Sequence, residues 1–202
     1  MYLSDYNSAS QIAIILAFAI IGGGLKYIDD AFDEDFFSKK IAVVIAVIIV
    51  LIWIRLSLFD SISATILFSI LFAVLFTGKI DNLIFKMSSI ALIIILFLTQ
   101  MLNLLWIPLI FLILMGVADE KGNDYVDNHA TLKLVELLFS YRFCMKMGVL
   151  SLCIFALLPG LYLLAFLAHD GAYESVRLIG EISVAHQRTK KSAIPISPNV
   201  NE

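Results

Sequence analysis

Charged residues are scarce in this chain of 202 residues. Asp, Glu, Lys and Arg together make up 15% of it, against about 25% in a typical soluble domain. Apolar residues make up 61%, which is more than a water-facing domain of this length can bury. The composition therefore excludes a soluble enzyme and an intrinsically disordered protein. It predicts a polytopic membrane protein.

A basic surplus and a cysteine pattern are also missing. The formal net charge is −3, whereas a nucleic-acid-binding domain presents a basic face, so nucleic acid is excluded as a partner. The two cysteines, Cys144 and Cys153, lie nine residues apart in an apolar segment and match neither a disulfide framework nor a zinc site. No basic residue precedes the first apolar run, so this run is predicted to be a retained helix rather than a secretory signal.

Stretches with few or no charges mark the candidate membrane spans, which are 6–25, 41–59 (with Arg55 near its end), 61–78, 87–118 and 147–169. The fourth stretch has 32 residues and would be about 48 Å long as one helix, against about 30 Å of hydrocarbon in a bilayer. A polar run at 99–103 lies near its middle and favours a break into a helical hairpin. We therefore predict an all-α bundle of about six spans. The alternative, one unbroken tilted helix, gives five spans.

The predicted bundle occupies residues 1–186, and residues 187–202 are predicted to be a disordered polar tail. Within the bundle, the segment 132–143 is amphipathic at helical spacing and reads as an interfacial helix or as the first turns of the last span. Nine of the 14 basic residues fall on one side in both models. By the positive-inside rule, this count places the acidic loop after the first span in the cytoplasm. The turn between the second and third spans is predicted to hold a helix cap, Asp60.

Nine of the 17 acidic residues fall in two windows, 26–35 and 119–127, each directly after an apolar stretch. The chain lacks basic residues in comparable number there, so the carboxylates repel one another unless a cation is present. Carboxylate oxygens are suitable ligands for Mg²⁺, which bridges to substrate phosphates. The candidate metal ligands are Asp29, Asp30, Asp33, Asp119 and Asp124, and the candidate phosphate contacts are Lys26, Lys79 and Lys121.

The spacing within the first window supports a shared site. Asp29 and Asp33 are four residues apart, and Asp30 and Asp33 are three apart, so on a helix end their carboxylates share one face. In the six-span arrangement Asp30, Asp81 and Asp119 lie on one side. The plain alternative is that both windows are solvated loops whose charges only keep them in water.

These features resemble the UbiA superfamily of intramembrane prenyltransferases. That family has a first motif of the form Asn-Asp-x-x-Asp-x-x-x-Asp after a span, and residues 29–33 take its place here. Asp29 stands where the family has Asn, and Phe37 stands where it has the last Asp. Residues 78–81 take the place of the family's polar, basic loop, and 119–124 take the place of its second acidic motif.

The resemblance covers roughly residues 10–130, with fewer spans before the first motif and after the second than the family has. It implies Mg²⁺-dependent transfer of a prenyl group from its diphosphate to an acceptor held between helices. In a degenerate relative it implies binding of a polyprenyl lipid without transfer. Two other classes stay open: a small transporter or channel with acidic vestibules, and a membrane assembly partner without chemistry. An observation that separates them is whether both acidic windows face one cavity.

Overall fold

The computed structural model describes residues 7–33, 37–78, 83–99, 102–129 and 132–192. Within these ranges the chain forms eight α-helices and no strand, so the predicted all-α class is confirmed. The helices are α1 (Ser8–Asp33), α2 (Lys39–Phe59), α3 (Ser61–Thr77), α4 (Leu83–Thr99), α5 (Trp106–Asn128), α6 (Lys133–Ser140), α7 (Phe143–Ile154) and α8 (Gly160–Ser192).

Two of these helices are long and apolar enough to cross a membrane. They are α1, over Ser8–Phe32, and α2, over Lys39–Phe59. The pair α6 and α7 meets the same criterion if it counts as one span bent by 64°, and α3 and α4 are apolar but shorter. The chain therefore has the helices of a membrane protein, while a bundle of six crossings stays a prediction.

The outer surface of the long apolar helices is itself apolar. Ile12, Leu16 and Ile20 of α1 are each more than half exposed, as are Val44 and Leu51 of α2. A soluble protein rarely exposes apolar patches of this extent. Lipid hydrocarbon is the environment in which such a surface carries no penalty.

The long apolar stretch is broken where its polar run predicts a break. Helix α4 ends at Thr99 and α5 begins at Trp106. The backbone N–H of Leu105 donates to Thr65 Oγ1 at 3.0 Å, so protein supplies a partner at the broken backbone. Pro108 falls in the first turn of α5, where a missing N–H costs no helical hydrogen bond.

The predicted span over 147–169 is not one continuous helix. Helix α7 ends at Ile154, α8 begins at Gly160, and Ala156 between them adopts a left-handed conformation with φ of 55°. Pro159 explains the break, because it has no N–H and disfavours a helical conformation in the residue before it. Helix α8 then continues to Ser192, so residues 187–192 of the predicted disordered tail are helical. Residues 193–202 lie outside the described residues.

Helix α3 lies at the centre of the bundle and is buried along most of its length. Asp60 caps it, as predicted, by accepting hydrogen bonds from the backbone N–H groups of Ile62 and Ser63, both at 3.2 Å. The hydroxyl of Tyr162 donates to the same carboxylate at 2.9 Å. This contact holds the first turn of α8 beside the first turn of α3.

The packing partners define which helix ends meet. The start of α5 lies beside the start of α3, and Gly116 further along α5 faces Ala73 further along α3, so the two helices run parallel. Helices α1 and α8 are also parallel, because Gly22 faces His169 and Asp30 faces Gly180. As a result, four segments lie together at one end of the bundle: the second half of α1, the second half of α5, the start of α7 and the middle of α8.

Candidate functional site: a polar cluster on helix α8

The first acidic window lies on α1 as far as Asp33. Lys26 Nζ is 2.9 Å from Asp29 Oδ2 and 2.8 Å from Asp30 Oδ1. Asp30 is buried beside Gly180 of α8. A Cβ added to Gly180 would lie 3.2 Å from Asp30 Oδ2. The Asp29 side chain is 45% exposed, so it is the accessible carboxylate of this pair. Asp33 ends α1, and its side chain is outside the described residues.

The second acidic window is helical, so the predicted loop at 119–127 is not present. Helix α5 continues through it to Asn128, because this stretch packs on α6 and α7 instead of ending at the apolar boundary. Gly122 allows the close approach, since an added Cβ would overlap the ring of Phe139. Residues 26–33 of the first window and the whole second window are therefore helical rather than Asp-rich loops.

Asp119 caps α7 from a different helix. Its side chain is buried, with 2% of the residue exposed. Oδ1 accepts the backbone N–H of Cys144 at 2.8 Å, and Oδ2 accepts that of Met145 at 2.7 Å. Burial raises the pKa of Asp119 above its ordinary value, while the two backbone donors act in the opposite direction. These donors belong to the first turn of α7, which has no intrahelical partner for them.

The other predicted site residues of this half of the molecule are dispersed. Lys121 and Asp124 are exposed on α5, and the backbone carbonyl of Asp124 accepts a hydrogen bond from the Asn128 side chain at 2.7 Å. Lys79 and Asp81 lie outside the described residues. The structure thus brings Lys26, Asp29, Asp30 and Asp119 toward one end of the bundle and leaves Lys121 and Asp124 on its surface.

Tyr173 of α8 connects the two acidic windows. Lys26 Nζ lies 5.6 Å from the centroid of its ring, and the guanidinium carbon of Arg142 lies 4.8 Å from it. Arg142 in turn pairs with Glu120 of α5 at 3.2 Å. Burial raises the pKa of Tyr173 above its ordinary value, so the phenol is neutral at physiological pH. One aromatic ring therefore contacts Lys26 of the first window and Arg142, the ion-pair partner of Glu120 in the second window.

Further ion pairs extend this arrangement along α8. Lys146 of α7 pairs with Asp170, and Arg177 pairs with Glu174 at 2.7 Å. Burial raises the pKa of Glu174 above its ordinary value. Six carboxylates and four cations are involved. We call this set the polar cluster: Lys26, Asp29, Asp30, Asp119, Glu120, Arg142, Lys146, Asp170, Tyr173, Glu174 and Arg177.

Sequence reasoning missed the contribution of α8 to this cluster. Its charged residues Asp170, Glu174 and Arg177 recur at spacings of three or four, which is the pattern of one helix face. That signal was present in the sequence. The contacts of α8 with residues of α1, α5 and α7 could not be read from the sequence, because these residues are distant along the chain.

A small cavity adjoins the cluster and is lined in part by Asp119, Glu120, Arg142, His169 and Asp170. Among the described residues, no group of three His, Cys, Asp or Glu side chains is arranged to hold a metal ion. Binding of Mg²⁺ therefore stays a prediction, and its candidate ligands are residues of α1.

Comparison of the chain with protein-family models, with curated proteins and with solved structures finds no match.

Proposed function

We propose that this is an integral membrane protein that binds the diphosphate group of a prenyl lipid through Mg²⁺ at the polar cluster. The observation that carries the proposal is the position of Tyr173, whose ring lies beside Lys26 of the first acidic window and beside Arg142, the partner of Glu120 in the second. A magnesium diphosphate needs oxygen ligands for the metal and cations for the phosphate oxygens. The polar cluster contains both kinds of group.

Within this proposal, Mg²⁺ binds at the end of α1. Asp29 is the exposed carboxylate, and Asp33 follows it by one helical turn. Lys26 and Arg142 then contact phosphate oxygens. In this proposal Asp119 is not a metal ligand, in contrast to the prediction from the sequence. Since both its oxygens accept backbone N–H groups, it fixes α7 and Arg142 instead.

Two further features support the proposal. The cluster holds two more carboxylates than cations, so a divalent cation offsets its charge. A small apolar pocket lies between α1 and its neighbours, lined by Leu25 and Ile28 on either side of Lys26 in the chain and by Trp53 and Leu92. Its lining is of the kind that the hydrocarbon part of a prenyl chain contacts.

The proposed activity is transfer of the prenyl group to an acceptor, as the resemblance to the UbiA superfamily implies. As the carbon–oxygen bond breaks, negative charge develops on the departing diphosphate. Mg²⁺ supplies Lewis-acid stabilisation of that charge when bound. Lys26 and Arg142 orient the diphosphate, and the surrounding apolar helices exclude water from the reacting carbon.

The test is binding of geranylgeranyl diphosphate to the purified full chain in detergent, by isothermal titration calorimetry, with Mg²⁺ or with chelator. We expect binding with Mg²⁺ only, and Asp29→Asn to weaken it at least tenfold, about 1.4 kcal/mol. Asp127→Asn is the matched control, because Asp127 is an exposed carboxylate of the second window that contacts Asn123. Equal affinity with chelator and in Asp29→Asn would rule out the proposal.

Cation passage is the second candidate function. The excess of carboxylates over cations in the cluster favours it, because an acidic vestibule concentrates cations. Potassium flux into proteoliposomes, compared between the wild-type protein and Asp29→Asn, separates this candidate from lipid diphosphate binding.

A further inference from the structure

Arg55 of α2 is a charged side chain on an otherwise apolar, exposed face of its helix. The residue is exposed, and so are Leu51 one turn before it and Phe59 one turn after it. The guanidinium carbon lies 3.6 Å from the centroid of the Phe59 ring, so the charge lies close to the end of α2. Within the described part of the chain, no carboxylate forms an ion pair with Arg55.

The end of the bundle at which Arg55 lies is poor in other charges. It is the end opposite the polar cluster, where α2 ends and α3, α5 and α8 begin, and we call it the apolar end. Asp60 is buried there, and its carboxylate is occupied by the first turn of α3 and by the hydroxyl of Tyr162. The described connections 102–105 and 155–159 contain no charged residue. The positive charge of Arg55 therefore needs an anion from outside the described chain.

Exposed aromatic side chains indicate where the membrane surface lies at the apolar end. Trp106 begins α5 and is 68% exposed, and Phe155 follows α7 and is 76% exposed. Tryptophan is enriched at the level of the lipid headgroups, because its ring is amphipathic. The headgroup layer is therefore the expected surrounding of the turn at which α2 ends.

The length of α2 brings Arg55 within reach of this layer. Lys40 is exposed at the start of the helix and lies fifteen positions before Arg55, which is about 22 Å along the helix axis. The hydrocarbon of a bilayer is about 30 Å thick. Long basic side chains extend toward the nearer interface in this situation, and a bilayer thins locally around a short apolar stretch. Both effects bring lipid phosphates and the guanidinium together.

We propose that Arg55 binds the phosphate group of a phospholipid in the leaflet at the apolar end. A guanidinium matches phosphate oxygens with two parallel N–H···O hydrogen bonds. Phe59 positions the guanidinium through its ring, and the N–H groups at the edge of the guanidinium plane stay available for the phosphate. The acyl chains of the same lipid contact the exposed apolar side chains of α2, such as Leu51.

Solid-state nuclear magnetic resonance measures this contact directly, as dephasing of arginine ¹³Cζ signals by lipid ³¹P. The full chain, labelled with ¹³Cζ-arginine, is reconstituted into dioleoylphosphatidylcholine vesicles in phosphate-free buffer, so that lipid supplies the phosphorus. The chain has four arginines, at positions 55, 142, 177 and 188. The contribution of Arg55 is the difference between the wild-type protein and Arg55→Gln.

We expect the wild-type protein to show ³¹P dephasing, and the dephased signal to fall at least twofold in Arg55→Gln. Arg177→Gln is the matched control, because Arg177 is already paired with Glu174 and Glu181. This control should leave the dephased signal unchanged. Arg55→Lys keeps the positive charge but lacks the Cζ signal, so it answers the same question if Arg55→Gln does not fold.

Three results would overturn the proposal. They are an absence of dephasing in the wild-type protein, equal dephasing after replacement of Arg55, and dephasing that appears only when inorganic phosphate is added. The last result would assign Arg55 to a free anion instead of a lipid. Because the sample contains no prenyl diphosphate and Arg55 lies opposite the polar cluster, the outcome is separate from that of the diphosphate-binding experiment.

Discussion

Asp119 shows at the scale of single residues how an acidic motif becomes structural. The residue belongs to the second acidic window, yet its two oxygens satisfy the backbone N–H groups of Cys144 and Met145, which lie 25 and 26 residues further along the chain. The carboxylate therefore replaces the N-terminal capping residue that α7 lacks, because Arg142 at that position provides no side-chain cap. A buried carboxylate in this role fixes the position of α7 relative to α5.

Replacing Asp119 by Ala should destabilise the protein. The change leaves the buried N–H of Met145 and the partly buried N–H of Cys144 without an acceptor, for which we expect a loss of about 1–3 kcal/mol in the free energy of unfolding. Chemical denaturation in detergent, followed by circular dichroism, measures this difference. Asp127→Ala is the control and should stay within about 0.5 kcal/mol, as surface substitutions usually do. A loss of the same size in both variants would contradict the capping role.

At the scale of helices, the α1–α8 contact is the most extensive in the fold and explains why the first acidic window reaches α8. It depends on small residues, since Gly22 of α1 touches the backbone of His169 and Gly180 of α8 leaves room for Asp30. Small residues at such crossings let two helices approach closely enough for their backbones to touch. The adjacent Gly23 faces Ala172 and Val176 at ordinary contact distance, 3.6 Å.

The substitution Gly22→Ala should weaken this contact. Its Cβ would overlap the carbonyl of His169, and because backbone cannot rotate away, α1 and α8 must separate. Overpacking of this kind costs about 1–3 kcal/mol. By contrast, Gly23→Ala has room for the methyl group, and Ala favours helix over Gly by about 0.5–1 kcal/mol. Thermal unfolding of the two variants in the same detergent should therefore shift in opposite directions, and a shared direction would refute this packing.

At the scale of the whole molecule, the parallel courses of α3 and α5 place their C-terminal halves at one end of the bundle. The predicted six-span arrangement requires this, because a hairpin formed by α4 and α5 returns the chain to the side where α3 ends. With five spans, residues 82 and 123 would lie on opposite sides of the membrane. The proposed diphosphate site depends on the first arrangement.

Cysteine labelling in intact vesicles should distinguish these arrangements. In a background without Cys144 and Cys153, we expect Asn82→Cys and Asn123→Cys to react with an impermeant maleimide from the same side. Asn103→Cys is the control, since this exposed residue precedes α5 and should react from the other side. Labelling of positions 82 and 123 from opposite sides would support five spans and end the proposal that both windows form one site.

Local features of the chain could be predicted well from the sequence. The helical class, the break after Thr99 and the cap at Asp60 each depend on residues close together in the chain. The same holds for the grouping of Lys26 with Asp29 and Asp30, because their spacing of three and four places them on one helix face. The apolar composition by itself predicted helices able to cross a membrane.

Other features were decided by tertiary packing alone. Tyr173 meets Lys26 and Arg142 across more than 140 and about 30 residues of chain, respectively, because α1 and α7 both pack on α8. The capping role of Asp119 arises in the same way. A residue's charge and spacing determine what it can bind, but burial and the approach of distant helices determine which partner it finds.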